Sequence, residues 1–269
     1  MKNRINIILV NYNSYTDTEN CLKSIREYNK GIFEIEIIVV DNDSKSSVKE
    51  FLRKICDRFD AKLIENDKNN GFAKANNIGF REIQHKNNKD FCDYIWFLNN
   101  DTKLEDGFFE KLNENLPKDN EALYFEMRNF SGGFVNDGLN YCSILTGRYS
   151  ERFRKNYIQY ICGASVFLKL TDKVPLWNED FFLYYEDVDY SLRLKKNGYT
   201  FVEVKGLYYL HKVNGSSAFN PKTNKFRIQS QKKFMKENGK NYFVYFILKI
   251  LYYAMCFKFE NLKDFMDKN

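Results

Sequence analysis

The segment FFLYYEDVDYSLR, residues 181–193, places Glu186, Asp187 and Asp189 directly after an aromatic run. Two roles suit carboxylates there. Acids at a helix N-terminus cap it and offset its dipole. A carboxylate held against apolar walls instead has its pKa raised toward the value a general base needs, and Asp187, with Glu186 beside it, is then the base candidate. Imidazole chemistry is limited to two histidines. His85, in the polar stretch IQHKNNKD, reads as an exposed loop residue. His211 ends the apolar run GLYYLH ahead of a Gly/Ser loop, where it serves either as a satisfied edge histidine or as a ligand. Asp101 together with His211 would suit a divalent ion that keeps open positions for phosphate oxygens.

The elements that must position these groups follow from the apolar patterning. Ile5–Tyr12, Glu34–Asp41, Ala61–Glu65 and Asp93–Leu98 read as strands, and Thr16–Tyr28, Ser47–Phe59 and Phe72–Gln84 as helices between them. Strands apolar on both faces and separated by helices imply a parallel sheet covered on both sides, with ligands beyond the carboxyl ends of the strands. Three polar clusters stand at those ends: Asn11, Tyr12 and Asn13; Asp41, Asn42 and Asp43; Asn99, Asn100 and Asp101. Any one of them could simply cap a turn. Three at one rim point to a binding edge.

Beyond residue 105 the pattern loosens. Gly107–Leu116 reads as a helix stopped by Pro117, Ala122–Arg128 as a strand and Tyr160–Leu170 as another. Ser131–Arg154 resists assignment. Val188–Asn197 reads as a short helix closed by Gly198, Thr200–Val204 and Tyr208–His211 as two strands, and the chain from Phe226 onward as helix. No internal repeat and no linker divides the chain.

Composition sets the outer bounds. At 43% hydrophobic and 17% aromatic, 269 residues can bury enough surface to offset ordering entropy, which excludes a disordered chain. The net charge of +6 is spread among interleaved acids and bases, so no nucleic-acid partner is expected. Six cysteines without a CxxC pair argue against a zinc knuckle or a thioredoxin motif and suit reduced thiols. The apolar stretch Ile5–Val10 is too short for a signal-peptide core, so a cytoplasmic location is expected.

Seven segments in order resemble the family 2 glycosyltransferases of the GT-A fold, in particular their bacterial rhamnosyltransferase-like branch. They are IILVNYNS, IIVVDNDS, NNGFAKANNIGF, WFLNNDT, CGASVFL, FFLYYEDVDYSLRLKKNGY and HKVNGSS, all within residues 5–217. The resemblance implies an α/β fold with a Rossmann-like half, a mostly parallel mixed sheet and a C-terminal helical appendage. It divides the chain into a catalytic domain over 1–220, with donor-binding 1–105 and acceptor-binding 106–220, and helices over 221–269. It also implies donor contacts at Asn11, Tyr12, Asp41, Asn77, Asn100 and Asp101, with Tyr12 against the base and Asp41 at the base or ribose. Asp101 and His211 become ligands of a Mg or Mn ion bridging the diphosphate, although Asn99 stands where the first acid of the family's DxD motif is usual. Asp187 becomes the base and Glu186 its companion. The implied reaction is inverting transfer from a UDP- or dTDP-sugar, such as dTDP-rhamnose, to a bacterial surface glycan or lipid-linked acceptor.

Two alternatives stand beside that reading: a sugar-nucleotide-binding or assembly protein without turnover, and a nucleotidyltransferase, which would usually open on a Gly-rich phosphate loop that VNYNSYTDT lacks. In the tail, Tyr242–Phe259 is an apolar aromatic run interrupted by Lys249. It could pack on the catalytic domain or on a second copy of the chain, lie in the surface of the inner membrane on its cytoplasmic face, or span the bilayer, which Lys249 makes costly.

Overall fold

A computed structural model describes residues 2–84, 91–212, 221–256 and 258–267. β1 (Lys2–Asn11), α1 (Tyr15–Asn29), β2 (Glu34–Asp41), α2 (Ser46–Arg58), β3 (Lys62–Glu65), α3 (Phe72–Gln84) and β4 (Phe91–Asn99) alternate as the patterning predicts. There follow β5 (Thr102–Lys103), α4 (Phe108–Glu114), β6 (Glu121–Arg128), β7 (Phe134–Asn136), β8 (Leu139–Ser143), β9 (Tyr149–Ser150), β10 (Tyr157–Ile161) and β11 (Ser165–Lys169). α5 (Glu186–Lys196), β12 (Thr200–His211), α6 (Pro221–Asn238), α7 (Tyr242–Met255) and α8 (Phe259–Met266) complete the chain.

The main sheet runs β3-β2-β1-β4-β11-β6-β12-β5, with β7 added beside β6. β3, β2, β1 and β4 are mutually parallel, β11 is inserted antiparallel, and β12 lies parallel to β6. One sheet therefore crosses both expected halves of the catalytic domain. Its strands are apolar on both faces because each face is covered. Ile5, Ile7 and Leu9 of β1, Ile37 and Val39 of β2, and Tyr94, Trp96 and Leu98 of β4 pack toward α1, α2 and α4. The intervening Ile8, Ile38, Val40, Ile95 and Phe97 pack toward α3 and α5, where Trp177 lies stacked on Tyr190 at 3.9 Å between ring centroids. The period of two along a strand thus sorts one sequence into two cores.

Three expectations are corrected. Tyr160–Leu170 is two strands in different sheets: β10 pairs with β8 in a small three-stranded sheet, and β11 enters the main sheet after a turn closed by Ser165 N donating to Cys162 O at 3.2 Å. Thr200–Val204 and Tyr208–His211 are one strand, whose register against β6 shifts between Glu203 and Tyr208 around Gly206 at φ +69°. The C-terminal helix is three helices, broken at Gly239 and restarted where the Asn241 side chain caps Val244 N. The unassigned stretch 131–154 holds β7, β8 and β9, each too short to show a period.

A third core joins the small sheet, residues 181–188 and the C-terminal helices, with Cys142, Tyr160, Phe181, Tyr185, Val188, Phe234, Tyr245 and Phe265 all buried. The loop before α3 touches the loop before α5: Phe72 N donates to Phe182 O at 2.9 Å, and a Cβ on Gly71, at φ +79°, would sit 2.5 Å from that same oxygen. Gly107, at φ +83°, has nothing within 4 Å of such a Cβ. Gly107→Ala should therefore cost about 1–2 kcal/mol for its backbone conformation alone. Gly71→Ala should cost roughly 2–5 kcal/mol, because immovable backbone adds an overlap to the same strain. Urea denaturation of the two variants checks the difference, and equal losses would contradict the contact.

Candidate active site

The ends of β1, β2 and β4 are level, with Asn11 opposite Asp41 and Val10 opposite Asn99. Their polar side chains form one network. Asn11 Nδ2 donates to Asp41 Oδ1 at 2.7 Å and to Ser44 Oγ at 3.0 Å, while Asn11 Oδ1 accepts from Thr18 Oγ1 at 3.1 Å and Asn100 Nδ2 at 3.3 Å. Asp41 also accepts from Ser44 N at 3.0 Å and Ser44 Oγ at 2.5 Å, and Lys49 Nζ lies 4.0 Å away. Asn42 fastens the next loop, donating to Asn69 Oδ1 at 2.8 Å and accepting from Asn70 N at 2.9 Å. Buried polar groups satisfied this fully make a rigid edge. Tyr12, 52% exposed, projects beyond it.

At the far side of β4 the strand pairing of β5 with β12 places His211 opposite Thr102. His211 Nε2 then lies 3.1 Å from Asp101 Oδ1, both side chains less than a fifth exposed. Asn99 Nδ2 is 3.4 Å from the same nitrogen, and Asn99 Oδ1 is buried without a hydrogen-bond partner. The oxygen and nitrogen of an amide are nearly isosteric, so turning the Asn99 amide over would aim that unsatisfied oxygen at the point shared by Asp101 and His211. One carboxylate, one imidazole and one amide oxygen suit a Mg or Mn ion. Among the described residues no group of three or more His, Cys, Asp or Glu could hold a metal, so the remaining positions would fall to ligand oxygens.

The candidate base is reached through a short turn. Asn99 N donates to Ala164 O at 2.9 Å, and one residue earlier Gly163 N donates to Asp187 Oδ2 at 3.3 Å. Residues 162–164 therefore connect the end of β4 with the first turn of α5. A Cβ at 163 would lie 3.1 Å from Asp187 Cβ, so any side chain there would push Asp187 back by a few tenths of an ångström. Burial raises the Asp187 carboxyl to about 6 against the opposing hydrogen bonds from Gly163 and Val188. Glu186 is pushed further, first by burial and then by the neighbouring Asp187, and its Oε2 has no partner. Both carboxyls are thus held above the ordinary carboxylate range, Glu186 the further of the two, which disfavours two charges on the pair.

The run before this pair is not a strand. Tyr184 and Tyr185 both adopt left-handed conformations, φ +68° and +67°. Such backbone is unfavourable for large side chains and persists only when its surroundings enforce it. α6 supplies the enforcement: Ser230 Oγ donates to Leu183 O at 2.8 Å, Gln231 Nε2 to the Tyr185 hydroxyl at 2.7 Å, and Lys233 pairs with Asp180 at 2.9 Å. Tyr185 in turn donates to Gly147 O.

Tyr12, Asn11, Asp41, Asn100, Asp101 and His211 thus come together at one edge, with Asp187 and Glu186 joined to it through residues 162–164. Asn77 does not reach that edge. It is wholly buried in α3, donating to Trp177 O at 2.9 Å and to Glu179 Oε1 at 3.0 Å and accepting from Trp177 N at 2.9 Å, so it ties α3 to the loop before α5. Asn11 and Asp41 are equally buried and spend their polar atoms on protein partners. They shape the rim from beneath. His85 lies outside the described residues. Gly163, Ser44, Thr18 and Gln231 carry no expectation from sequence, although Gly163, inside CGASVFL, and Ser44, at the end of IIVVDNDS, sit in segments that could have flagged them.

A family model described as glycosyl transferase family 2 matches residues 6–172. The low-salt glycan biosynthesis hexosyltransferase Agl10 of Haloferax volcanii is 25% identical over 206 residues, 73% of this chain and 63% of that protein. This chain therefore spans less than two thirds of Agl10. The dTDP-rhamnosyl transferase RfbF of Shigella flexneri is 24% identical over 230 residues, 81% of this chain and 72% of RfbF. A crystal structure of GalNAc-T7 with UDP, GalNAc and Mn2+ shares the fold at a TM-score of 0.63 and 12% identity, over 81% of this chain and 45% of that one.

The raised Glu186 carboxyl has a consequence for stability. A group whose pKa is raised by folding contributes stability that is complete below its unfolded pKa and is lost as pH rises through its folded pKa. Glu186→Gln cannot ionise and escapes that loss. The variant should gain on the wild type in urea midpoint as pH is raised from about 5 to about 8, above the ordinary carboxyl range of about 4.3. Parallel profiles would contradict the raised Glu186 carboxyl.

Proposed function

Because the chain belongs to glycosyl transferase family 2, we propose that it moves a sugar from a nucleoside-diphosphate sugar to a hydroxyl of a glycan or lipid-linked acceptor, inverting the anomeric carbon. The observation that supports this most is the single turn, residues 162–164, that hydrogen-bonds to Asn99 on one side and to Asp187 on the other. It sets an acid that can accept a proton beside an edge suited to a diphosphate.

Each residue then has a task. Tyr12 offers its exposed ring to the nucleotide base, and Asn11, Asp41, Asn42 and Asn100 hold the loops around it. Asp101 and His211 would hold a Mg or Mn ion, which when bound supplies Lewis-acid neutralisation of the charge that develops on the leaving diphosphate. Asp187 accepts the acceptor's hydroxyl proton as that oxygen bonds to the anomeric carbon. The bond from that carbon to the diphosphate oxygen breaks on the opposite face, and the nucleoside diphosphate leaves. One displacement inverts the configuration. Burial opposes a second charge at Glu186 and keeps Asp187 a stronger base than an exposed aspartate.

The names of the two relatives support a hexose or deoxyhexose as the sugar, with dTDP-rhamnose first among the donors to try and UDP-sugars beside it, and a glycan as the acceptor. Nucleoside diphosphate release across a donor panel, with Mg or Mn, tests the proposal. Asp187→Asn should lower kcat by about 10²–10⁴-fold with donor KM changed less than about twofold. Wild-type kcat should fall about tenfold for each pH unit below about 6, where Asp187 becomes protonated. Asp101→Asn and His211→Ala should each raise the metal concentration for half activation by about 10–100-fold. Wild-type turnover in a folded Asp187→Asn enzyme would refute the base, and an unchanged metal requirement in both other variants would refute the metal site.

A further inference from the structure

α7 presents two opposite faces. Val244, Ile247, Leu248, Leu251 and Met255 follow helical spacing along one side and are exposed, Met255 to 78% and neighbouring Phe243 to 71%. Lys249 points the other way, its ammonium 5.4 Å from the centre of the Tyr253 ring and 5.9 Å from that of Tyr245. That inner side closes a cavity of about 350 Å³ between α6, α7, α8 and the turn before β9. Among the described residues, the cations Arg148, Arg227, Lys249 and Lys258 line it and no carboxylate does. Arg148 and Lys258 reach it from either side of Tyr252, their charges 6.0 and 5.3 Å from its ring centre, at the border between the cavity and the apolar face.

We propose that this cavity takes the phosphate headgroup of an anionic membrane lipid, and that α7 docks on the bilayer surface by its exposed apolar face. Charge complementarity names the occupant. Arg148, Lys249 and Lys258, gathered on a lining that holds no acid among the described residues, call for an anion, and an apolar stripe flanked by cations matches a phosphate layer lying over acyl chains. Burial and the repulsion of Arg148, Arg227 and Lys258 lower the Lys249 pKa to about 8, a cost that a bound phosphate would relieve. The helix lies on the membrane and does not cross it: 14 residues reach only about 21 Å, against about 30 Å of hydrocarbon. Among the described residues no helix is long and apolar enough to span. Tyr185, two residues before Asp187, lines the same cavity, so the headgroup would lie against a close chain neighbour of the candidate base.

The inference does not depend on sugar transfer, and flotation with vesicles reads it with no donor present. The full chain should float with phosphatidylcholine vesicles containing phosphatidylglycerol and much less with phosphatidylcholine alone. Arg148→Gln and Lys249→Gln should each weaken that binding about fivefold. Leu248→Ser with Leu251→Ser should weaken it by about tenfold or more. Unchanged thermal unfolding of Arg148→Gln, whose side chain is exposed, guards against misreading a folding defect. Three results would overturn the proposal. The wild type could fail to float with anionic vesicles. The leucine variant could turn a dimer into a monomer in sedimentation while vesicle binding is absent, making the face an interface between two copies. Inorganic phosphate could bind saturably, in a manner abolished by Lys249→Gln, with no vesicle binding, making the ligand a soluble phosphate.

Discussion

The hydrogen bonds of residues 162–164 are the constraint on which the rest of the site depends. Ala164 O holds Asn99 at the end of β4, and Gly163 N holds the Asp187 carboxylate, so two neighbouring residues link the edge that would receive a diphosphate with the acid that would accept a proton. A reaction in which bond making and bond breaking occur on opposite faces of one carbon needs these groups at a fixed separation. A hydrogen-bonded turn between two strands of different sheets provides that rigidity better than a free loop. The absence of a side chain at Gly163 lets Asp187 approach, since a Cβ would meet it at 3.1 Å.

The strain is concentrated on the other side of Asp187. Two consecutive tyrosines in left-handed backbone would not hold that shape alone, and α6 and the turn at Gly147 grip them through Ser230, Gln231 and the Tyr185 hydroxyl. The C-terminal helices are therefore part of the framework around the candidate base, packed into a core of their own with Phe181, Tyr185 and Val188. This also explains why the aromatic run FFLYY divides its labour. Phe181 and Tyr185 are buried against α6 and the small sheet, while Phe182, Leu183 and Tyr184 stay half-buried near the site.

The parallel half of the fold was legible because β1, β2 and β4 are apolar on both faces and end in Asn and Asp, a pattern that a doubly covered sheet imposes. The convergence of Asn11, Asp41 and Asn100 followed from the level strand ends. What could not be read was where local and tertiary signals part. Tyr160–Leu170 is apolar on both sides of the small residues 162–165, and that short stretch, read as strand, is the turn where the chain changes sheet. The bulge at Gly206 breaks the period of β12 without breaking the strand. Asn77 resembled a donor contact by its place in NNGFAKANNIGF, yet its amide is consumed by Trp177 and Glu179, partners a hundred residues away that no local pattern reveals. The cationic cavity was equally hidden, because Arg148, Arg227, Lys249 and Lys258 lie in separate elements.

The central claim is that one centre joins Asp101 and His211 to Asp187 across residues 162–164. Anomalous diffraction from crystals of the protein grown with Mn and a nucleoside diphosphate measures it directly. The expected result is a manganese peak shared by the Asp101 carboxylate, His211 Nε2 and the diphosphate oxygens, with the Asp187 carboxylate still bonded to Gly163 N and facing the same cleft. A manganese peak that excludes Asp101 and His211, or an Asp187 carboxylate turned away from the diphosphate, would contradict it.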